Sequence, residues 1–439
     1  MSKKPVSSGR TVSKLKFNRF TRILGPGLIT GAADDDPSGI ATYTQTGAQF
    51  GLGMLWASLY QLPMIIAIQE ACARIGAVTG KGLAGVVKEN YSRKVLFTVV
   101  LLVVVANCIN IGADIGAIAA STQLIFPQFN FAVIAFTTVL LILFLEIFIS
   151  YKKYANVLKF LSLSLLAYIV TAFLVSQPWP EIFQASIVPH FEFNLDYLFL
   201  VTGVFGTTIT PYMFFWQASG EVEEEKSHNI RSKGGRPVLT KRFLKNMRID
   251  NAIGMTFAQI SQWFIVITAA TVLFSAGINN IDSAADAAKA LEPLVQSFPN
   301  AGLIAKVIFA VGVIGIGLQA IPVLAGSSAY ALSEAMGWKS GLSRKFKKAR
   351  GFYFVIIISM IIGLGMNFIG INPIKALIFT AVFNGVSAVP LLYVIAKING
   401  NANILGDYKG SMISRLIIWI AFGVMALAAI GLFYAIATS

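Results

Sequence analysis

The residues best equipped for chemistry are three consecutive carboxylates, Asp34, Asp35 and Asp36, followed directly by Pro37, Ser38 and Gly39. Apolar sequence flanks them on both sides. A carboxylate within hydrocarbon costs roughly 2.5 kcal/mol or more, so one that persists there marks a functional site. Pro37 removes an amide hydrogen and clashes with the preceding turn, while Gly39 frees the backbone. Together they interrupt a helix and leave carbonyls without intrahelical partners. Carbonyl oxygens beside a carboxylate make a cation site. A loop at the membrane surface is the alternative, and the apolar flanks count against it.

A second interruption is expected where Pro211 follows Gly203, Gly206, Thr207, Thr208 and Thr210 within another apolar run. Taken alone, a proline kink in an ordinary packing helix is the competing, lesser reading. Its placement relative to the first break changes that reading.

The elements that must position these residues follow from composition. The chain has 439 residues, 56% hydrophobic and only 13% charged, which places it in the membrane. A span needs about 20 mostly apolar residues, and that rule predicts eleven helices. They run roughly over 22–50, 53–75, 95–124, 130–150, 155–176, 195–218, 250–276, 300–337, 351–370, 374–396 and 412–437. The first and eighth exceed a plain span, which predicts an interruption, a tilt or an extension into a loop. Asp36 falls about 20 Å along a helix from Arg22, near the middle of a core about 30 Å thick. The interrupted helices are the first and sixth. A repeat of five spans is odd, so its two copies start from opposite sides of the membrane. Interrupted helices at matching positions of inverted halves are the best sequence pointer to a transporter's midplane site.

Charge sets the expected orientation. Of the 35 Lys and Arg residues, 31 fall in segments 1–22, 74–94, 151–154, 218–250, 338–350 and 397–415. The positive-inside rule makes these cytoplasmic, with the N-terminus inside and the C-terminus outside. The expected location is the bacterial plasma (inner) membrane. Residues 1–21 form a basic tail without the apolar core of a cleavable signal. Residues 22–437 form one transport domain, with repeats over 22–176 and 195–396 and an extra helix over 412–437. The net charge of +15 is spread over membrane-flanking loops, so nucleic acid is not an expected partner. Cys72 and Cys108 form no CxxC pattern, and no nucleophile–base pair suggests an enzyme.

At the two breaks the sequence resembles the natural resistance-associated macrophage protein (Nramp) family of divalent-metal transporters. That family carries Asp-Pro-Gly-Asn in helix 1 and Met-Pro-His-Asn in helix 6. The matching positions here read Asp36-Pro37-Ser38-Gly39 and Thr210-Pro211-Tyr212-Met213. Supporting matches are Gly25-Pro26-Gly27, the stretch from Arg74 to Lys81, and Ala325-Gly326-Ser327-Ser328. The resemblance implies an all-α polytopic protein with the LeuT-like (amino-acid-transporter-like) inverted 5+5 repeat and broken helices 1 and 6. It implies a divalent metal ion as substrate, the lipid bilayer as surroundings, no cofactor and no obligatory protein partner.

The departures refine this. In the family, the helix 1 Asp and Asn, the helix 6 Met and nearby carbonyls grip a partly dehydrated transition metal. Here Asp36 is kept, Asn becomes Gly39 and Met becomes Thr210. A thioether favours softer metals, and replacing it with a hydroxyl removes that preference. A roomier all-oxygen site suits Mg²⁺, which usually keeps several waters. The family's helix 6 His aligns with Tyr212, which does not titrate near neutral pH. The family's helix 3 Asp and Glu align with Asn110 and Ala113, and Asp114 is one position along. These changes match the Nramp-related magnesium transporters. That branch implies uncoupled uptake of largely hydrated Mg²⁺, with Mn²⁺ secondary, driven by the concentration gradient and the membrane potential.

Asp36 is therefore expected to anchor the ion, with carbonyls near Gly39 and Thr207 and the hydroxyls of Thr207 and Thr210 around it. The same hydroxyls could instead back-bond their own preceding turn. Asp34 and Asp35 are expected in an approach vestibule, or protonated and hydrogen-bonded. Asn110, Asp114 and Tyr212 are expected around the site. Asn384 either hydrates the ion or, as the composition favours, bonds another helix. Glu221 begins the acidic run Glu221-Val-Glu223-Glu224-Glu225, which either lines an exit vestibule or, on balance, is a solvated charge run. Residues 226–248 read as a flexible basic loop. Two other functions remain: a proton-coupled Mn²⁺ or Fe²⁺ importer, and a sodium-coupled carrier of small organic solutes.

Overall fold

A computed structural model describes residues 26–148, 166–227 and 239–438, and all its regular structure is helical. In chain order the main helices are α1 (Pro26–Asp34), α2 (Pro37–Phe50), α3 (Trp56–Thr79), α4 (Leu83–Asn90) and α5 (Arg93–Ile125). Next come α6 (Phe131–Phe148), α7 (Leu166–Leu174), α8 (Trp179–Ile187), α9 (Leu195–Thr208) and α10 (Pro211–Ser227). The last are α11 (Lys241–Val272), α12 (Ala301–Met336), α13 (Arg350–Met366), α14 (Pro373–Asn399) and α15 (Met412–Thr438). Pro37, Pro211 and Pro373 each open a helix, where the missing amide is one that the first turn leaves unpaired anyway.

The predicted first span is thus two half-helices, α1 and α2, and the sixth is α9 and α10. Among the described residues eight stretches are long and apolar enough to cross a membrane, with α9–α10 taken as one, and α13 is a shorter apolar helix. Half of the predicted fifth span lies outside the described residues. The predicted eighth span is one unbroken helix, α12, with Pro322 inside it. Two expectations are corrected. The stretch 241–248, read as loop, is the first two turns of α11, capped by the Thr240 hydroxyl at the Phe243 amide. Helix α4 occupies a segment with no predicted element, because its eight residues are too few to signal a span.

Packing interlocks the two halves. Helices α1 and α2 lie against α11, and α10 lies against α3, so each broken helix packs on the opposite half. The long helices α5 and α12 run along each other, and α9 packs against α14. Glycines permit the tightest crossings: a Cβ at Gly206 would sit 2.1 Å from the Ala381 carbonyl oxygen, and one at Gly31 would sit 2.3 Å from Gly254. Helices α6 and α15 instead expose Leu140, Phe144, Leu427 and Ile430, as lipid-facing helices do.

Candidate metal site

The two breaks meet inside the bundle. Asp36 is extended (φ −66°, ψ 172°) and caps α2, its Oδ1 accepting from the Gly39 amide at 2.8 Å and the Ser38 hydroxyl at 2.6 Å. Its Oδ2 accepts from Asn110 Nδ2 of α5 at 2.9 Å. Together with the Ser38 amide, which is also directed at this carboxylate, these donors fix the Asp36 group. Ser38 also reaches across to Thr207 Oγ1 of α9 at 3.3 Å.

Gly39 faces the same point. A methyl group added there would lie 3.3 Å from Thr207 Oγ1 and 3.6 Å from the main-chain oxygen of Asp34. Asp36, Gly39 and Thr207 are thus brought together as expected. The Thr210 hydroxyl is fully buried and has no hydrogen-bond partner. Neither Thr207 nor Thr210 bonds its preceding turn; the hydroxyl that does is Thr208, to the Val204 carbonyl at 3.1 Å. Thr208 also joins α9 to α2 and α11, contacting Tyr43 at 2.9 Å and Gln262 at 3.2 Å.

Both prolines orphan a carbonyl four residues back, because Pro has no amide hydrogen to offer it. Pro37 leaves the Ala33 oxygen and Pro211 leaves the Thr207 oxygen. The Ala33 oxygen accepts from the Tyr212 hydroxyl at 2.7 Å. The Tyr212 main-chain oxygen accepts from Ser327 Oγ of α12 at 2.8 Å, which anchors the start of α10.

Several surrounding residues differ from expectation. Asp34 and Asp35 are each 1% exposed, so neither lines an open vestibule. Asp34 carries no hydrogen bond on its carboxylate, and Asp35 faces Ser261 of α11. The contribution of Asp34 to the meeting point is its main-chain oxygen. Asp114 is fully buried on α5, within electrostatic reach of Asp36, and its carboxylate has no hydrogen-bond partner. Asn384 is buried and its Nδ2 has no hydrogen-bond partner. The acidic run is not a solvated stripe: Glu221 and Glu225 are buried, and Glu221 accepts from Gln217 Nε2 at 3.0 Å. Gln217 in turn accepts from the Thr30 hydroxyl of α1 at 2.5 Å, and the Gly27 amide donates to Asp250 Oδ2 at 2.7 Å. These contacts close the α1 end of the site.

Sequence reading missed Ser38 and Tyr43 as members of this network. Ser38 had a local signal, its hydroxyl two residues after the capping Asp36. Tyr43 had none, since its partner lies 165 residues away. Away from α1, a cavity of about 710 Å³ is lined by Gln45, Gln49, Asp196, Asn280, Asp282 and Lys375. No group of three or more His, Cys, Asp or Glu converges on one point among the described residues. A cation at the meeting point would thus be held by one carboxylate, main-chain and hydroxyl oxygens, and water.

The chain is similar to the divalent metal cation transporter MntH of Yersinia enterocolitica, 26% identical over 95% of this chain and 96% of that protein. The similarity to MntH of Brucella suis is 25% identity, spanning 69% of this chain and 65% of that protein. Among solved structures, the manganese transporter of Eremococcus coleocola superposes with a TM-score of 0.74 at 15% identity, over 100% of this chain and 90% of that one. Mhp1, a nucleobase-cation-symport-1 family transporter, gives 0.59 at 12% identity over 94% and 93% of the two chains. At such identities these structures establish the fold, an amino-acid-transporter-like bundle. The model of natural resistance-associated macrophage protein-like (Nramp) sequences matches residues 27–435, and the chain belongs to that family.

Proposed function

We propose that the chain is a membrane transporter of divalent metal cations, not an enzyme, and that the ion sits where the α1/α2 and α9/α10 breaks meet. The observation that carries this is Asp36, a buried carboxylate held by donors from Ser38, Gly39 and Asn110, close to where Gly39, Thr207 and the Asp34 main-chain oxygen converge. Asp36 supplies the charge, and Thr207 and Thr210 supply hydroxyl oxygens. Its similarity to divalent metal cation transporters supports a divalent cation, and its similarity to the Eremococcus manganese transporter supports manganese among the cargo. In this reading the lysine- and arginine-rich end faces the bacterial cytoplasm, so the cavity beyond Gln45 opens outward and transport is uptake.

Within that reading the donors extend the cargo to Mg²⁺. They are all hard oxygens, with Thr210 and Gly39 where the family places Met and Asn, and such a site suits an ion that keeps much of its water. Uncoupled movement is supported by Tyr212 in the family's histidine position and by His190, which lies in a loop. The inside-negative potential then drives entry, with about 2.3 kcal/mol per charge per 100 mV. The second reading, proton-coupled import of Mn²⁺ or Fe²⁺, has the names of the relatives in its favour. Proteoliposomes with an inside-negative potential and a lumenal pH dye separate the two. The magnesium reading expects excess Mg²⁺ to suppress Mn²⁺ uptake without acidification. Uptake that ignores Mg²⁺ and acidifies the lumen establishes the second reading instead.

A further inference from the structure

Tyr212 lies buried in the first turn of α10, with both its hydroxyl and its main-chain oxygen hydrogen-bonded. Its hydroxyl donates to the Ala33 oxygen at 2.7 Å, and its main-chain oxygen accepts from Ser327 at 2.8 Å. Ala33 precedes Asp34, whose own main-chain oxygen borders the space at Gly39. The Ala33 oxygen has no helical donor, because its partner four residues on is Pro37. An oxygen in that state, one residue from the meeting point, would otherwise be a ready cation ligand.

The corresponding position in the other half behaves differently. Ser38 follows Pro37 as Tyr212 follows Pro211. The serine is short and turns back to Asp36 and Thr207 Oγ1, so it does not cap the Thr207 main-chain oxygen that Pro211 orphans. One proline-orphaned oxygen is therefore occupied by a protein donor.

We propose that Tyr212 is a specificity-determining residue: by donating to one of the two lone pairs of the Ala33 oxygen it turns and weakens that oxygen as a ligand for the ion and leaves the coordination position to water. The inference rests on the metal site proposed above. Mg²⁺ surrenders water reluctantly, whereas Mn²⁺ exchanges it for protein oxygen more readily. Keeping the Ala33 oxygen occupied thus narrows the advantage of Mn²⁺ over Mg²⁺.

The test is Tyr212→Phe in the purified full chain, which removes one oxygen and keeps the ring. Mn²⁺ is bound to the protein and its retained waters are counted by electron–nuclear hyperfine spectroscopy in isotopically labelled water. Titration calorimetry with Mn²⁺ and Mg²⁺ runs in parallel. The expected result is one fewer water on Mn²⁺ and a Mn²⁺-over-Mg²⁺ preference raised about threefold or more, since Mg²⁺ dehydrates least willingly. Tyr212→Met, which also lacks a donor, must lose the same water. An unchanged water count in either folded variant overturns the proposal, because a purely structural tie would leave the coordination intact. Asp36→Asn is the separate control. Full Mn²⁺ binding in that variant overturns the site itself, whereas lost binding there with an unchanged count in Tyr212→Phe overturns only the role of Tyr212.

Discussion

The α1/α2 break and the α9/α10 break share one backbone event and put it to different uses. Each places a proline at the first position of the second half-helix and strips a donor from a carbonyl four residues earlier. At the first break side chains respond: Asp36 collects donors from Gly39, Ser38 and Asn110 and becomes a fixed charge. At the second the side chains are neutral hydroxyls, Thr207 and Thr210, and the latter has no partner. One break is preorganised and charged, and the other is uncharged and less committed. Similar interruptions thus acquire distinct work from the two or three residues beside the proline.

The comparison can be broken most severely at Asp36. Asp36→Asn keeps an acceptor for the Gly39 amide, so α2 stays capped, but it removes the charge. Metal uptake in proteoliposomes should fall by about 100-fold or more, as expected when a buried cation loses its counter-charge, worth about 3–5 kcal/mol. Retained uptake would mean that the first break is not the charged one.

Asn110→Ala tests the preorganisation. It leaves Asp36 Oδ2 without its donor, a loss of about 1.5–3 kcal/mol for a hydrogen bond to a charged group. The concentration of metal giving half-maximal uptake should shift by roughly 10-fold or more, while Asp36-dependent binding persists. No shift would show that the α5 contact does not orient Asp36.

Glycines sharpen the contrast in packing. A methyl at Gly206 meets main-chain atoms of Ala381 and Gly385 at 2.1–2.2 Å, so Gly206→Ala should cost about 1–3 kcal/mol, read as a lower unfolding temperature in detergent. At Gly39→Ala the nearest atom is the Thr207 hydroxyl at 3.3 Å, with Tyr43 and the Asp34 oxygen at ordinary contact distance, and the loss should be much smaller. Equal losses would remove the distinction between a break buried against a neighbouring helix and one facing an ion.

The smallest effect is expected at Thr210. Thr210→Met adds a soft donor to the second break and should raise Mn²⁺ binding relative to Mg²⁺ by about 2- to 10-fold, the scale of a single modest contact. A preference that moves toward Mg²⁺ would place Thr210 away from the ion.

Much of this architecture was legible from residue patterns because its causes are local. Proline and glycine within apolar runs located both breaks, and segment hydropathy located the long helices. The fate of the carboxylates was not legible. A run of three acids has the same sequence whether it lines a vestibule or sits at 1% exposure, because burial depends on where α11 and α5 pass. The same holds for Glu221: only the placement of α1 and α3 against α10 shows that Glu221 and Glu225 are enclosed. Asn110 was legible as a position near the site, but its bond to Asp36 joins residues 74 apart. Helix α4 and the start of α11 escaped notice because short amphipathic turns beside a span carry little hydropathy signal.

The way α1 and α2 lie on α11 while α10 lies on α3 has a consequence for how the polypeptide matures. Helices α1 and α2 complete their burial only with surface supplied by α11, so the N-terminal helices cannot settle before α11 has been threaded into the bilayer. A chain cut in the connection around residues 188–194 and co-expressed as two pieces should reassemble into one particle, whereas either piece made alone should be recognised as unfinished and degraded.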